Sequence, residues 1–220
     1  AISTNGSNKL DLYKELINLG VNDYSISLDA CCAEDGDKMS GGVKGSWEIV
    51  IKNIQELSKL TYVSVGVVLN EMNIDKTIDT IIFADSLGVS DIRIISAAQY
   101  NKPIPRLNEI SEEIKQKYPI LRYRIEHFAN GINVRGRNEN DYEKCPLVLD
   151  DSVIAGNYHY SCVIALREGA EPIGEVGPNM RQERLEWFKN NNVNKNPICS
   201  KNCLDVCRDY ANKYKFYHLK

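Results

Sequence analysis

Five cysteines follow one another in the C-terminal part of this 220-residue chain, and thiolates are ligands that soft metal ions prefer. They are Cys145, Cys162, Cys199, Cys203 and Cys207. Four thiolates can hold either a zinc ion or an iron–sulfur cluster. No leader-like segment opens the chain, so we expect a cytoplasmic protein. In that reducing compartment, clustered thiols are metal ligands more often than disulfides.

The last three cysteines are spaced for a helix. Cys199, Cys203 and Cys207 are each four residues apart, which would place their side chains on one helical face. None of these spacings is the tight CxxC knuckle that is typical of zinc sites. The wider spacing therefore favours a bulkier iron–sulfur cluster, whose ligands lie farther apart.

The other two cysteines flank a predicted hairpin. Gly156 and Asn157 form a turn signal between apolar segments at 153–155 and 158–166. Cys145 precedes this hairpin, and Cys162 is expected on its second strand. Five thiols compete for at most four places, so we expect a [4Fe–4S] cluster held by four of them. Zinc and scattered reduced core cysteines are the alternatives.

The N-terminal half alternates strand-like and helix-like segments. Apolar strands are predicted at residues 1–3, 24–28, 63–69 and 92–95, and helices at 10–19, 47–60, 75–87 and 107–117. Gly20 and Gly88 follow two of these helices, at the position where glycine commonly ends a helix. This order predicts an α/β fold whose parallel strands are covered by helices.

The second half is expected to be a separate, smaller module. After an extended segment predicted at 121–128, residues 130–144 are polar and rich in Gly and Asn, so we place the boundary between residues 1–130 and 131–220. The module combines the Cys-rich hairpin with a helix at 179–190 and a C-terminal tail helix. His159 is expected to face solvent on the hairpin, and the tail, which mixes Tyr and Lys, to pack as an amphipathic helix.

The bulk composition excludes two classes of partner. The formal charge is −3 and the isoelectric point is near 5.7, which argues against a nucleic-acid backbone as partner. No apolar run approaches the length of a membrane span.

The two remaining thiols, Cys31 and Cys32, are adjacent and so poorly placed to ligate one ion together; we interpret them as structural.

Four short motifs, in this order and at these separations, resemble the radical S-adenosylmethionine (radical SAM) core. They are STNG at residues 3–6, SISLDA at 25–30, VGVVLNEMN at 65–73 and DIRIIS at 91–96. The Cys145–Cys207 region resembles the auxiliary-cluster extension called twitch or SPASM. The resemblance implies a partial (β/α) radical SAM barrel with parallel strands plus a small Cys-rich hairpin and helix module.

The resemblance also implies that earlier strands of the barrel precede this chain. The family's first strand leads into a CxxxCxxC loop that holds the radical-generating cluster, and this sequence contains no such motif. We therefore expect a C-terminal fragment of an enzyme, without catalytic residues or radical activity of its own. The substrate is undetermined, and the open edge of the sheet is a candidate surface for pairing with a second copy. A non-catalytic cluster- or zinc-binding recognition module is the rival interpretation.

By the same resemblance, polar residues at the strand ends contact S-adenosylmethionine in the complete protein. They are Thr4, Asn5, Ser27, Asn70 and Ser96. Asp29 is a further candidate for a contact with the ribose or methionine part. The alternative for these residues is turn chemistry, because Thr-Asn-Gly forms good turns and Asp often caps helices.

Overall fold

The computed structural model describes residues 1–97 and 102–218, with the backbone alone for His218. The chain divides into two compact units, Ala1–Ile132 and Asn133–Lys220. Within the described part of the chain, none of the helices is both long and apolar enough to span a bilayer.

A four-stranded parallel sheet forms the centre of the first unit. Its strands occur in the order β1-β2-β3-β4, which is also their order along the chain. They are β1 (Ile2–Thr4), β2 (Asp23–Ser27), β3 (Tyr62–Leu69) and β4 (Asp91–Ser96). The predicted α/β class and parallel strands are confirmed. All four carboxyl ends lie at one edge, which is where parallel sheets bind ligands.

Helices connect and cover these strands. They are α1 (Leu10–Asn18), α2 (Ala33–Met39), α3 (Ser46–Ser58), α4 (Thr77–Ser86), α5 (Glu112–Lys117) and α6 (Pro119–Ala129), with 3₁₀ turns at Ile74–Lys76 and Leu107–Glu109. The core consists of strand residues such as Ile26, Val65 and Ile94 packed on Ile54 and Ile81 of the helices, all fully buried. The helix predicted at 107–117 is interrupted, because a 3₁₀ turn at Leu107–Glu109 precedes α5. Helix α2 was not predicted.

The extended segment predicted at 121–128 is wrong, because these residues form α6. Apolar and polar residues alternate there, as in a strand, but Leu121, Ile125 and Phe128 also recur at helical spacing and pack into the core. Pro119 occupies the first turn, where its fixed φ and missing N–H are tolerated. The helical face packs against β4, and that burial decides between the two periodicities.

The second unit contains a small antiparallel sheet and five helices among the described residues. They are α7 (Leu147–Asp150), β5 (Val153–Ala155), β6 (Tyr158–Tyr160), α8 (Val163–Arg167), β7 (Gly174–Glu175), α9 (Met180–Asn190), α10 (Pro197–Asn202) and α11 (Asp205–His218). The sheet order is β5-β6-β7. The predicted hairpin at Gly156-Asn157 is confirmed. Its second strand is shorter than predicted, because β6 ends at Tyr160 and Cys162 precedes α8 instead of lying on the strand.

Two further predictions about this unit are wrong for one reason. They are the linker at 130–144 and the single helix that would carry Cys199, Cys203 and Cys207. The polar segment 130–144 is not a free linker, since Val134 and Tyr142 are buried. Its backbone pairs with the residues after α10: Gly136 N–H donates to Cys203 O at 2.9 Å, and Asp205 N–H donates to Val134 O at 2.9 Å. This pairing interrupts the helix that was predicted to carry Cys199, Cys203 and Cys207 together.

The predicted tail helix is present as α11. Ala211 is buried, and the ring of Tyr214 meets that of Phe188 on α9 edge-on, with centroids 6.3 Å apart. Leu219 and Lys220 of the predicted tail lie outside the described residues.

A close contact between α2 and α3 shapes the carboxyl edge of the parallel sheet. Gly36 of α2 lies against the indole of Trp47, and that indole donates to Ala30 O at 3.0 Å. The same ring stacks on Phe83, with centroids 5.5 Å apart. A Cβ at Gly36 would lie 2.6 Å from Cγ of Trp47, so only glycine fits at this position.

We expect Gly36→Ala to lower the free energy of unfolding by about 1–3 kcal/mol, because the added methyl must displace a packed indole. Gly66→Ala on β3 is the matched control: a Cβ there meets nothing within 4 Å and the backbone is not left-handed. We expect the control to be neutral or to stabilise by up to about 1 kcal/mol. Urea denaturation measures both, and equal effects would contradict the packing argument.

Candidate functional site

All five C-terminal cysteines line a single cavity of about 170 Å³ in the second unit. Different elements bring them there. Cys145 precedes α7, Cys162 precedes α8, Cys199 lies in α10, Cys203 joins α10 to α11, and Cys207 lies in the first turn of α11. The structure therefore brings together the complete set predicted as metal ligands. All five thiols are half-buried and none forms a disulfide.

The remaining wall of this cavity is mostly apolar. It includes Leu147, Val153, Ile164, Trp187, Val193 and Ile198. Arg137 is the basic residue among the lining residues. An apolar wall excludes water, so charges placed in the cavity interact more strongly than they would in solvent.

Two of the thiols accept hydrogen bonds from the protein. Ala165 N–H donates to Cys162 Sγ at 3.3 Å, so this sulfur caps α8. Arg137 NH1 donates to Cys203 Sγ at 3.4 Å. Both donors stabilise negative charge on sulfur, and they hold the two side chains in defined orientations.

Burial and mutual repulsion make thiolates costly in this cavity. Burial, together with the neighbouring cysteines, raises the pKa of Cys145 to about 11 and that of Cys199 to about 12. A hydrogen bond between Cys207 and Cys203 raises the pKa of Cys207 and lowers that of Cys203, and Arg137 lowers the pKa of Cys203 further. The thiols therefore resist ionising together unless cations enter the cavity.

The thiols are not arranged around the position of one ion. Among residues 1–97 and 102–218, no group of three or more His, Cys, Asp or Glu side chains is placed to hold a single metal ion.

Cys31 and Cys32 lie in the first unit, between β2 and α2, where Cys32 Sγ donates to Asp35 at 3.2 Å.

A second cavity, of about 310 Å³, lies at the carboxyl edge of the parallel sheet. Asn5, Ser27 and Asp29 line it together with Trp47 and other residues of α2 and α3. Of the residues predicted to contact S-adenosylmethionine, the structure thus gathers Asn5 and Ser27 in one cavity, with the further candidate Asp29.

Asp29 is fixed in place by the neighbouring strand. Its Oδ1 accepts from Val68 N–H at 2.6 Å. Burial raises the pKa of this carboxyl, and the hydrogen bond from Val68 opposes that shift. The side chain is held at the end of β2, where it faces the cavity.

The other predicted cofactor contacts are not among the residues lining this cavity. Thr4 Oγ1 shares a hydrogen bond of 3.0 Å with Tyr13 OH and accepts from Gly6 N–H at 3.1 Å. Asn70 Oδ1 accepts from Met72 N–H at 2.8 Å, as in an Asx turn. Ser96 is buried at the end of β4. Thr4 and Asn70 thus make turn hydrogen bonds of the kind that the alternative interpretation describes, and their contacts with S-adenosylmethionine stay a prediction.

A buried polar cluster behind the thiol cavity was missed at the level of sequence. His159 is fully buried on β6, so its predicted exposure to solvent is wrong. Its Nε2 lies 2.9 Å from Glu183 Oε2, and Arg184 NH1 lies 3.4 Å from its Nδ1. Arginine can only donate, so Nδ1 accepts from Arg184. The ring proton is then on Nε2, and this N–H donates a hydrogen bond to Glu183.

Arg184 joins two backbone segments near the thiol cavity through three carbonyl groups. Its guanidinium donates to Val148 O at 2.7 Å, to Tyr160 O at 2.9 Å and to Asp151 O. Val148 lies in α7, Asp151 directly follows α7, and Tyr160 is the last residue of β6. The residue is 5% exposed, so its guanidinium replaces water for carbonyls that would otherwise lack partners.

The chain matches no family model and no curated protein at a significant level.

We expect Arg184→Met to lower the free energy of unfolding by at least about 2 kcal/mol, because the carbonyls it satisfies would lose a charged donor. Arg181→Met, one turn earlier on α9 and exposed, is the control and should change stability by about 0.5 kcal/mol or less. Urea denaturation compares the two, and a stable Arg184→Met protein would show that water replaces the guanidinium.

Proposed function

We propose that this chain is the C-terminal, auxiliary-cluster part of a radical SAM enzyme, and that its second unit holds a [4Fe–4S] cluster. The observation that carries the proposal is the convergence of five thiols, from five positions between residues 145 and 207, on one cavity. Reduced core cysteines would not need to share a cavity, and this convergence makes them a poor explanation.

The sequence spacing of the thiols favours a cluster over a single zinc ion, because it contains no CxxC knuckle of the kind that is typical of zinc sites. In tetrahedral zinc sites with Zn–S bonds of about 2.3 Å, neighbouring sulfurs lie about 3.8 Å apart. An iron–sulfur cluster is larger, and its ligands can therefore be spread around the walls of a cavity.

The electrostatics of the cavity also support a polynuclear iron site. The raised pKa values of Cys145 and Cys199 arise because burial disfavours the thiolate form and the neighbouring cysteines repel its charge. Iron ions would remove that cost, and their binding would release protons from the thiols. Four of the five sulfurs would serve as ligands, since a [4Fe–4S] cluster takes four thiolates.

When bound, the cluster supplies a site that accepts and donates single electrons or binds substrate at iron. The residues of this chain have simpler tasks. The cysteines hold the iron, the apolar wall excludes water, and Arg137 places a positive charge beside one sulfur. The Arg184 and His159 contacts keep the segments that carry Cys145 and Cys162 in register.

The first unit would contribute to binding S-adenosylmethionine. Its cavity lies at the carboxyl ends of β1 and β2, where parallel sheets bind ligands. Asn5, Ser27 and Asp29 supply polar atoms there, and Trp47 supplies an apolar wall. Thr4 and Ser96 end β1 and β4, and Asn70 directly follows β3, so these three residues stay predicted contacts at the same edge of the sheet.

The proposal assigns no radical generation to this chain by itself. The sequence contains no CxxxCxxC motif, so its own residues provide no site for the cluster that reduces the sulfonium. Its tasks would be to orient cofactor and substrate. We also propose a cytoplasmic location, and we assign no substrate.

Iron content tests the second unit. After anaerobic purification and reconstitution with iron and sulfide, we expect a brown protein with about four irons per chain. Single Ala variants of the five cavity cysteines should lose most of that iron in four cases and retain it in one, because five thiols serve four places. Iron and sulfide assays with absorption near 400 nm measure the result.

The matched control is the double variant Cys31→Ala/Cys32→Ala, which removes two thiols outside the cavity and should keep its iron. Loss of iron in the control, or full retention in all five cavity variants, would refute the cluster site. A colourless protein with one zinc per chain would favour the zinc-binding module instead.

Ligand binding tests the first unit. We expect S-adenosylmethionine to bind the chain measurably in isothermal titration calorimetry, and Ser27→Phe to weaken binding roughly tenfold or more by filling the cavity. Ser3→Phe is the control, since Ser3 is exposed on β1 and is not a lining residue. Equal affinities for the two variants would contradict the assignment of this cavity.

A further inference from the structure

The guanidinium of Arg137 is held in a fixed position at the thiol cavity. Its Nε donates to Asn194 Oδ1 at 2.6 Å, and NH2 donates to Tyr142 O at 2.6 Å. The third contact is the one at 3.4 Å from NH1 to Cys203 Sγ. Two strong hydrogen bonds to protein oxygens therefore fix the guanidinium so that an N–H of NH1 points at a sulfur.

The partners of Arg137 are themselves anchored. Asn194 Nδ2 donates to Asp141 O at 2.7 Å, which orients the amide so that its oxygen faces Arg137. The backbone N–H of Arg137 donates to Ser200 O at 2.9 Å, and that of Gly136 donates to Cys203 O at 2.9 Å. The backbone and the side chain of this segment thus both contact the segment that carries Cys203.

We propose that Arg137 is a positioning and tuning residue, whose charged N–H···S hydrogen bond to Cys203 raises the reduction potential of the auxiliary cluster. The inference rests on the proposed cluster and requires Cys203 to be one of its four ligands. It assigns a role to a residue of the polar segment 130–144, where the sequence alone indicated only a linker.

The direction of the effect follows from charge. One electron, supplied by dithionite or an electrode, enters the cluster and makes it and its thiolates more negative, with no proton required. A cation and a hydrogen-bond donor at a ligand sulfur stabilise the reduced form more than the oxidised form. The apolar wall increases this preference, because it limits screening by water.

Potentiometric titration followed by electron paramagnetic resonance tests the inference. We expect Arg137→Gln to keep its iron but to lower the equilibrium constant for reduction about tenfold, which is about 59 mV for one electron. Arg137→Lys should lower the potential less than Arg137→Gln does, because lysine keeps the positive charge but lacks the planar guanidinium that makes the three hydrogen bonds. Arg167→Gln removes an exposed charge from the same unit and should leave the potential unchanged.

A measurement on the unaltered sequence covers the case in which Arg137→Gln loses its cluster. Protein labelled with ¹⁵N-arginine should show a ¹⁵N coupling to the reduced cluster in pulsed electron paramagnetic resonance. The absence of that coupling, an unchanged potential in an iron-loaded Arg137→Gln protein, or full iron retention by Cys203→Ala would each overturn the role of Arg137 and leave the cluster itself standing. Failure of the unaltered protein to bind iron would instead overturn the proposed function.

Discussion

The thiol cavity depends on one short stretch of backbone pairing. Residues 134–137 run beside residues 200–205, joined by hydrogen bonds from Gly136 N–H to Cys203 O and from Asp205 N–H to Val134 O. A continuous helix would place Cys199, Cys203 and Cys207 in a row along one face. The pairing ends α10 at Asn202 and begins α11 at Asp205, so Cys203 lies between the two helices and outside both. The three sulfurs consequently line a cavity instead of a stripe.

The same physical logic explains which parts of the structure the sequence predicts and which it does not. Strands such as β3 and helices such as α3 follow from apolar periodicity, because each buries one continuous local pattern. The segment 121–128 fits both a strand and a helix, and only packing against β4 decides. The break at Cys203 and the burial of His159 depend on partners dozens of residues away, such as Val134 and Glu183. No local pattern encodes those partners.

The candidate sites differ in the same way. The type and number of the five cysteines were sufficient to predict a shared site, and the structure brings them to one cavity. Polar residues at strand ends are less specific, because side chains such as Thr4 and Asn70 can satisfy neighbouring backbone groups. Asn5 and Ser27 reach the cavity, but the sequence offers no signal that separates them from Thr4. Arg137 carried no signal either, since it lies in a stretch that resembles a linker.

The position of Arg137 links the folding of the second unit to the chemistry of its cavity. The segment that interrupts the helix and thereby aims Cys203 also carries the guanidinium that donates to Cys203 Sγ. The position of Cys203 and the positive charge beside its sulfur are therefore set by a single structural element. Buried thiolates repel one another, so the pairing of residues 134–137 with 200–205 holds together groups that cations would stabilise further. In the proposed cluster site, metal binding and the packing of this segment would accordingly stabilise one another, because each reduces the cost of bringing the five sulfurs to the same cavity.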